Sequence, residues 1–373
     1  MNTLTCVEIL RPATTMTKIL GTYPFTFKNG RLVYSKTRLI QICLCLATCI
    51  LCTVFYFTEH HQEHPNVPKL VTFILMLRSF GWISSLLLVV VLALSKFSGL
   101  GDVARRITRI DSVLNSLGQK ERIDQLGVHH RKILIVLLVF EQLVLNILFD
   151  LHSAWLGNYR LTTFIGAFVY PRVACTTMYA VFISFTIIIQ KRFEIINELL
   201  HGCIKKSFCK SSISQLIHLH KMLYEASKGL NSVFSFQLLM WFGTCFLLIL
   251  WDVHSATHTL LLEQPRWIVV VIIAQNVSHN IFDLFYLSKR CVDLCHEANF
   301  TKTLFLKFQI DIHHEDERNY VVASALKLMN NKLEITALGL FEINYSLLFS
   351  ICATIFSYLF IMLQLDLGSK RLV

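Results

Sequence analysis

The chain has 373 residues, 54% of them hydrophobic and only 16% charged, with a mean hydropathy of +0.56 and a formal net charge of +11. So few charges, against roughly 25% in an ordinary soluble protein, exclude a string of soluble domains. The positive balance does not require nucleic acid, because its distribution along the chain has another cause.

In chain order, the first 36 residues hold Arg11, Lys18, Lys28, Arg31 and Lys36 and no long apolar run. They do not read as a cleaved secretory signal, so the first apolar block is expected to act as its own insertion signal. Seven blocks long enough to cross a bilayer follow, at 37–58, 70–95, 133–155, 163–189, 233–257, 266–288 and 336–364. The predicted fold is an all-α membrane protein of seven transmembrane helices. Its organisation is a cytoplasmic N-terminus (1–36), spans one to six (37–288), cytoplasmic helices (289–335) and a last span (336–365). Of 35 lysines and arginines, 28 precede or edge span one or fall in the loops 96–132, 190–232 and 289–335. The positive-inside rule puts those segments in the cytoplasm, the N-terminus with them and the C-terminus outside. There the basic excess meets anionic lipid.

The outer loops are short, about seven to eleven residues by this reading, so a ligand site must lie among the helices. The inner segments carry helical periodicity. "QKRFEIINELL" (190–200) aligns Phe193, Ile196 and Leu200, and the stretch 211–239 aligns Ile213, Leu216, His220, Leu223, Ser227 and Leu230. Residues 302–335 read as two further helical pieces around an acidic turn. Spans four, five and seven thus gain long cytoplasmic extensions; their apolar stripes could pack within one subunit, but a thin stalk has little else to bury against, which points to burial between subunits. None of the twelve cysteines falls in the outer segments, so no disulfide framework is expected. Cys291, Cys295 and His296, and Glu59, His60, Glu63 and His64, are weak metal patterns, better read as packing and a solvated loop. No metal or cofactor is expected. No clustered nucleophile or metal triad marks an enzyme.

Ionisable groups inside spans are expensive and stand as functional candidates. Sorted by depth, a ligand pocket in the outer half would draw on Arg78 of span two and on Asp150 and Trp155 of span three. Span four offers Phe164 and Tyr170, span five Trp251, Asp252 and His254, and span six Trp267, Gln275 and Asn276. Aromatic faces with a few carboxylates and amides suit a small polar or amphipathic molecule. The plainer alternative is that Arg78 or Arg172 pairs with Asp150 or Asp252 to hold helices together, with the tryptophans anchoring at the interface. Asp283 and Glu342 lie nearer the inner side and are assigned to packing or gating.

The last span carries a stripe. Ser346, Ser350, Thr354, Ser357, Ile361 and Gln364 recur at helical steps of four and three. Small hydroxyls in a membrane helix can serve close packing alone. An amide needs partners or water, and several copies of one wet stripe around an axis would enclose a pore. Gln364 would then replace part of an ion's hydration, and Ile361 or Leu365 would form a hydrophobic constriction.

The segment "ALGLFEINYSLLFSICATIFSYLFIMLQL" (337–365) resembles the C-terminal signature of insect gustatory receptors, which ends in Thr-Tyr, five hydrophobics and Gln-Phe. Ser357-Tyr358, Leu359 to Leu363, Gln364 and Leu365 stand at those places, with Leu365 departing from the family's Phe. "RFEIINELL" and "LIHLHKMLYEASKGLNSVFSFQLL" resemble the family's passage from span four to span five. The resemblance implies a tetrameric ligand-gated cation channel in the plasma membrane, homomeric or mixed. It implies a pore lined by span seven, subunit contacts among the cytoplasmic helices and tastant pockets in the outer half. A G-protein-coupled receptor would need the opposite orientation, and a transporter would show repeats and broken helices. An aromatic-rich chain, with 28 phenylalanines, leans toward bitter plant compounds over sugars.

Overall fold

The computed structural model describes residues 25–28, 31–34, 36–63, 97–139, 165–206, 210–260, 267–308 and 315–370, together with Thr15, Gly81, Ile83, Ser84, Leu86, Leu87 and Val91. Most of the predicted spans 70–95 and 133–155 lies outside the described residues, as do Arg78, Glu141, Asp150, Trp155 and Phe164.

The chain is mostly helical. In order come a hairpin of β1 (Phe25–Lys28) and β2 (Arg31–Tyr34), then α1 (Lys36–Glu63), α2 (Phe97–Ser116) and α3 (Lys120–Val139). A π-helical turn at Ile165–Val169 leads into α4 (Tyr170–Lys206), followed by α5 (Lys210–Leu260), α6 (Trp267–Phe308) and α7 (Glu315–Met329). A second hairpin, β3 (Thr336–Ala337) with β4 (Phe341–Glu342), precedes α8 (Tyr345–Lys370). An apolar run in lipid must satisfy its backbone internally, which is why these blocks are helices. Among the described residues, three stretches are long and apolar enough to cross a membrane: Ile40–Thr58, Ile165–Cys203 and Ser211–Thr257. The 51 residues of α5 span about 77 Å at 1.5 Å per residue. That is more than twice the roughly 30 Å of bilayer hydrocarbon, so one end must project well beyond it.

The projecting parts of α4, α5 and α6 pack together, with α2 laid against α5 and α3 against α4. Ile213, Leu216, His220, Leu223, Ser227 and Leu230 are all buried, as are Phe193, Ile196 and Leu200. Both predicted stripes are real. Their partner is not the one expected, because they are covered within a single chain. The reason is α2: Leu100, Val103, Ile107, Ile110 and Leu114 recur at helical spacing and are buried, while Arg105, Arg106 and Arg109 face outward. This amphipathic helix, read in the sequence only as charged loop, thickens the stalk into a core. Each buried Leu or Ile there contributes about 1.5–3 kcal/mol.

Beneath the spans, α2 is tied to α4 by a buried ion pair. Arg192 Nε and Nη2 donate to Asp111 Oδ1 and Oδ2 at 3.0 and 3.1 Å, and Nη1 donates to the Ile188 carbonyl at 3.2 Å. On the opposite end, Gly166 of the π turn meets α1 so closely that a Cβ there would stand 2.5 Å from Cys52 Sγ.

The last helix starts later than the predicted 336, at Tyr345. Leu338 and Gly339 both have positive φ (54° and 72°), so the chain turns there instead of coiling. Asn344 then caps α8, its Oδ1 accepting from the Leu347 amide at 3.0 Å. Two asparagines hold the approach to this hairpin. Asn299 Nδ2 donates to the Leu333 carbonyl and its Oδ1 accepts from the Leu333 amide, both at 3.0 Å. Asn231 Oδ1 accepts from the Thr336 amide at 3.2 Å.

Candidate pore-facing helix and ligand region

Three faces divide α8. Leu347, Leu348, Ile351, Ile355 and Leu359 form the face packed on α5 and α6. On the side away from them, Ser346, Ser350, Thr354, Ser357, Ile361 and Gln364 are all exposed. Between these faces, at about 100° per residue, lies a phenylalanine flank: Phe349, Phe356 and Phe360 are 77%, 72% and 64% exposed. Among the described residues, the wet stripe therefore lies on a different face of α8 from the one packed on α5 and α6.

Its hydroxyls are arranged in one sense. Ser350 Oγ donates to the Ser346 carbonyl at 3.0 Å, Thr354 Oγ1 to that of Ser350 at 2.7 Å, and Ser357 Oγ to that of Ala353 at 2.9 Å. Each proton is used within the helix, so the oxygens present lone pairs outward. A row of acceptors suits water and cations and repels anions. Leu365 is in α8.

The ligand candidates fall into two groups. Trp251, Asp252 and His254 sit together at the end of α5 predicted to be outer, with the Trp251 and His254 rings 5.9 Å apart. Asp252 is buried, Trp251 and His254 half-buried, and Tyr170 half-buried at the start of α4. Asn276 is buried on α6. Gln275 and Trp267 are exposed on the same helix, turned away from the protomer's interior.

The ligand candidate Asn276 joins residues that the sequence reading did not place in the pocket to form the denser polar cluster. Asn276, His279, Asn280 and Asp283 recur at i, i+3, i+4 and i+7 on α6 and are all buried. Arg172 of α4, 4% exposed, lies within electrostatic reach of His279, Asp283 and Cys245 of α5. His279 Nε2 is 3.7 Å from Asp283 Oδ2. Tyr179 of α4 donates through its hydroxyl to the Asp283 carbonyl at 3.0 Å and stacks on Trp241 of α5 with ring centroids 4.8 Å apart. The helical spacing of "NVSHNIFD" was the signal that could have found this face. Arg172 thus lies within reach of α6, a neighbour the sequence reading did not name for it, while Asp150, one of the two partners it did name, lies outside the described residues. Glu342 lies in β4, outside α8.

Among the described residues no three His, Cys, Asp or Glu side chains come together as a metal site. Below the spans, His130 of α3 is pushed down to about 4 by burial and by the nearby Arg192 and Arg290 guanidiniums.

The sequence profile of the 7tm chemosensory receptors matches residues 10–369. The gustatory receptor for bitter taste 66a of Drosophila melanogaster is 24% identical over 172 residues, 43% of this chain and 32% of that protein. The putative gustatory receptor 28b of the same fly is 24% identical over 176 residues, 43% and 35% of the two chains. The gustatory receptor for bitter taste 22e is 22% identical over 304 residues, 76% and 75% of the two. The matched stretch thus spans about a third of the first two relatives and three quarters of the third. In fold, the chain is similar to the insect olfactory receptor OR5 from Machilis hrabei, with a TM-score of 0.65, 15% identity, and coverage of 95% of this chain and 97% of that one. A structure of the same receptor in complex with eugenol matches with a TM-score of 0.59 over the same shares at 15% identity. The agreement of a family profile over almost the whole chain with its gustatory relatives and its receptor fold has one reading: the chain belongs to the 7tm chemosensory receptors, in the insect gustatory receptor family.

Proposed function

We propose that this chain is a taste-receptor subunit of a ligand-gated cation channel in the plasma membrane, with seven spans, a cytoplasmic N-terminus and an extracellular C-terminus. Four copies, identical or mixed with other gustatory subunits, place their α8 helices around a central pore. The observation that carries this reading is the exposed stripe of Ser350, Thr354, Ser357 and Gln364, opposite the face that α8 packs on its own chain. Its outward lone pairs favour cations over anions, and Ile361 and Leu365 supply the constriction that closes the pore by dewetting. The phenylalanine flank of Phe349, Phe356 and Phe360 meets the neighbouring α8.

The tastant sits in the outer half of each subunit, against Tyr170, Trp251, Asp252, His254 and Asn276, with Arg78, Asp150, Trp155 and Phe164 completing the region. Eugenol in the olfactory relative supports a small amphipathic ligand, and two relatives bear the words bitter taste. The buried Arg172–Asp283 cluster joins α4, α5 and α6 between that region and the stalk. Ligand opens the pore only by its differential affinity for open and closed arrangements.

Whole-cell recording with a panel of bitter compounds tests the reading. Ligand currents persist with G-protein signalling blocked, and Gln364→Ala changes ion permeation. Currents abolished by the block, with unaltered permeation in the variant, would refute it.

A further inference from the structure

The membrane-distal half of α5 and the helix α7 leave between them a groove of about 730 Å³. That lies within the range of small-molecule sites, roughly 300–1,000 Å³. Its charge is unbalanced. Glu225, the carboxylate that lines it among the described residues, is ion-paired with Arg106 of α2. Lys221 Nζ stands 4.0 Å from the second oxygen of the same carboxylate, and Lys228 lines the groove as well. Among the described residues, one negative charge therefore faces three cations. Lys228 is held with its Nζ 5.2 Å from the centre of the Tyr224 ring, which steadies the ammonium at the groove wall.

The second feature is a buried acceptor. His220 lines the same groove and is only 4% exposed. Its Nε2 is 3.0 Å from the Ala298 carbonyl, which can only accept, so Nε2 carries the hydrogen. Burial lowers the affinity of the ring for a second proton, so it stays neutral. Nδ1 is then a lone pair, buried and without a partner among the described residues. Buried polar atoms are nearly always paired; this one has no exposed surface, so a hydroxyl reaches it only with a small shift of the groove wall.

Two lysines sharing a single carboxylate with Arg106, beside an acceptor that lacks a donor, describe one ligand chemistry. We propose that this groove binds a phosphorylated polyol such as an inositol phosphate, on the side of the receptor read above as cytoplasmic. The phosphates pair with Lys221 and Lys228, and a ring hydroxyl supplies the donor above His220. Lys228 stands five residues before the predicted start of span five, about 7.5 Å along the helix, and Lys221 about 18 Å. A lipid headgroup reaches Lys228 first, whereas a free inositol phosphate reaches both.

The test uses the full-length protein in two arms. In detergent, equilibrium binding of labelled inositol hexakisphosphate is measured. In nanodiscs, protection of α7 amides from exchange is compared with and without phosphatidylinositol bisphosphate in a phosphatidylcholine bilayer. Saturable binding or protection is expected in at least one arm, and the responding arm identifies the source. Lys221→Gln with Lys228→Gln weakens it at least roughly tenfold, the scale of losing charge-assisted contacts, and Lys221→Arg with Lys228→Arg keeps it. The charge-matched pair Lys132→Gln and Lys289→Gln, outside the groove, leaves it unchanged. No response in either arm, or an equal loss in the control pair, overturns the proposal and leaves a merely solvated groove. Binding is read without current, so a chain that fails to conduct does not decide it.

Discussion

Replacing Asp111 with alanine strips Arg192 of its carboxylate while leaving the guanidinium in place. The Arg192 side chain is 3% exposed and Asp111 11%, so water cannot enter to take the missing partner's role. Among the described residues, the Ile188 carbonyl at 3.2 Å would remain as its hydrogen-bond partner. An uncompensated buried charge costs about 3–5 kcal/mol. Replacing both, Asp111→Leu with Arg192→Met, removes the charge along with its partner and ranges from neutral to roughly 4 kcal/mol stabilising. Arg122 and Glu198 provide the contrast: their side chains are 40% and 59% exposed, and Glu198→Gln costs less than about 1 kcal/mol. The assay is equilibrium unfolding of the purified receptor in detergent, read by tryptophan fluorescence, for the wild type and all three variants. If Asp111→Ala unfolds within 1 kcal/mol of Glu198→Gln, or the double variant is as damaged as Asp111→Ala, the pair does not act as a buried charge and the reasoning is wrong.

Acid should destabilise the stalk through His130. Its folded value of about 4 lies below the ordinary 6.5, so the unfolded chain binds the extra proton first. Stability is full above pH 6.5, falls as pH drops toward 4, and then levels, a loss of about 3 kcal/mol from this group; His130→Leu flattens the curve of unfolding midpoint between pH 7 and 4. Gly166→Leu drives a side chain into Cys52, and overpacking of this kind costs about 1–3 kcal/mol; surface expression falls, and Cys52→Ala restores part of it. Asn299→Ala frees both backbone groups of Leu333, so the Leu333 amide exchanges with solvent faster in mass spectrometry while amides in the centre of α4 do not change.

The parts of this fold legible in the sequence are those where a period meets a solvent. The stripe from Ile213 to Leu230 announced its buried face through spacing alone, and every member is covered. The cover itself was missed: α2 has equal helical spacing, but its arginines drew attention to topology instead of to Leu100, Val103, Ile107, Ile110 and Leu114. The apolar run 336–344 gave no hint of a hairpin until Gly339 and Asn344 were read as turn and cap. In the candidate site, the polar stripe of α8 was visible because it interrupts an apolar helix. The Arg172–Asp283 cluster was harder, because the partners of a buried charge depend on how helices cross, which one sequence does not encode locally.

The central claim is that the hydroxyl-and-amide stripe of α8 faces the conducting water. It is tested most directly by placing single cysteines along α8 in a Cys352→Ala background and applying a charged, membrane-impermeant thiol reagent during ligand-evoked current. Cysteine at Ser350, Thr354, Ser357 or Gln364 is expected to react and block the current in the open state, while cysteine at Phe349, Phe356 or Phe360 does not. Block confined to the phenylalanine positions, or no block at any position in a channel that still conducts, would contradict the account.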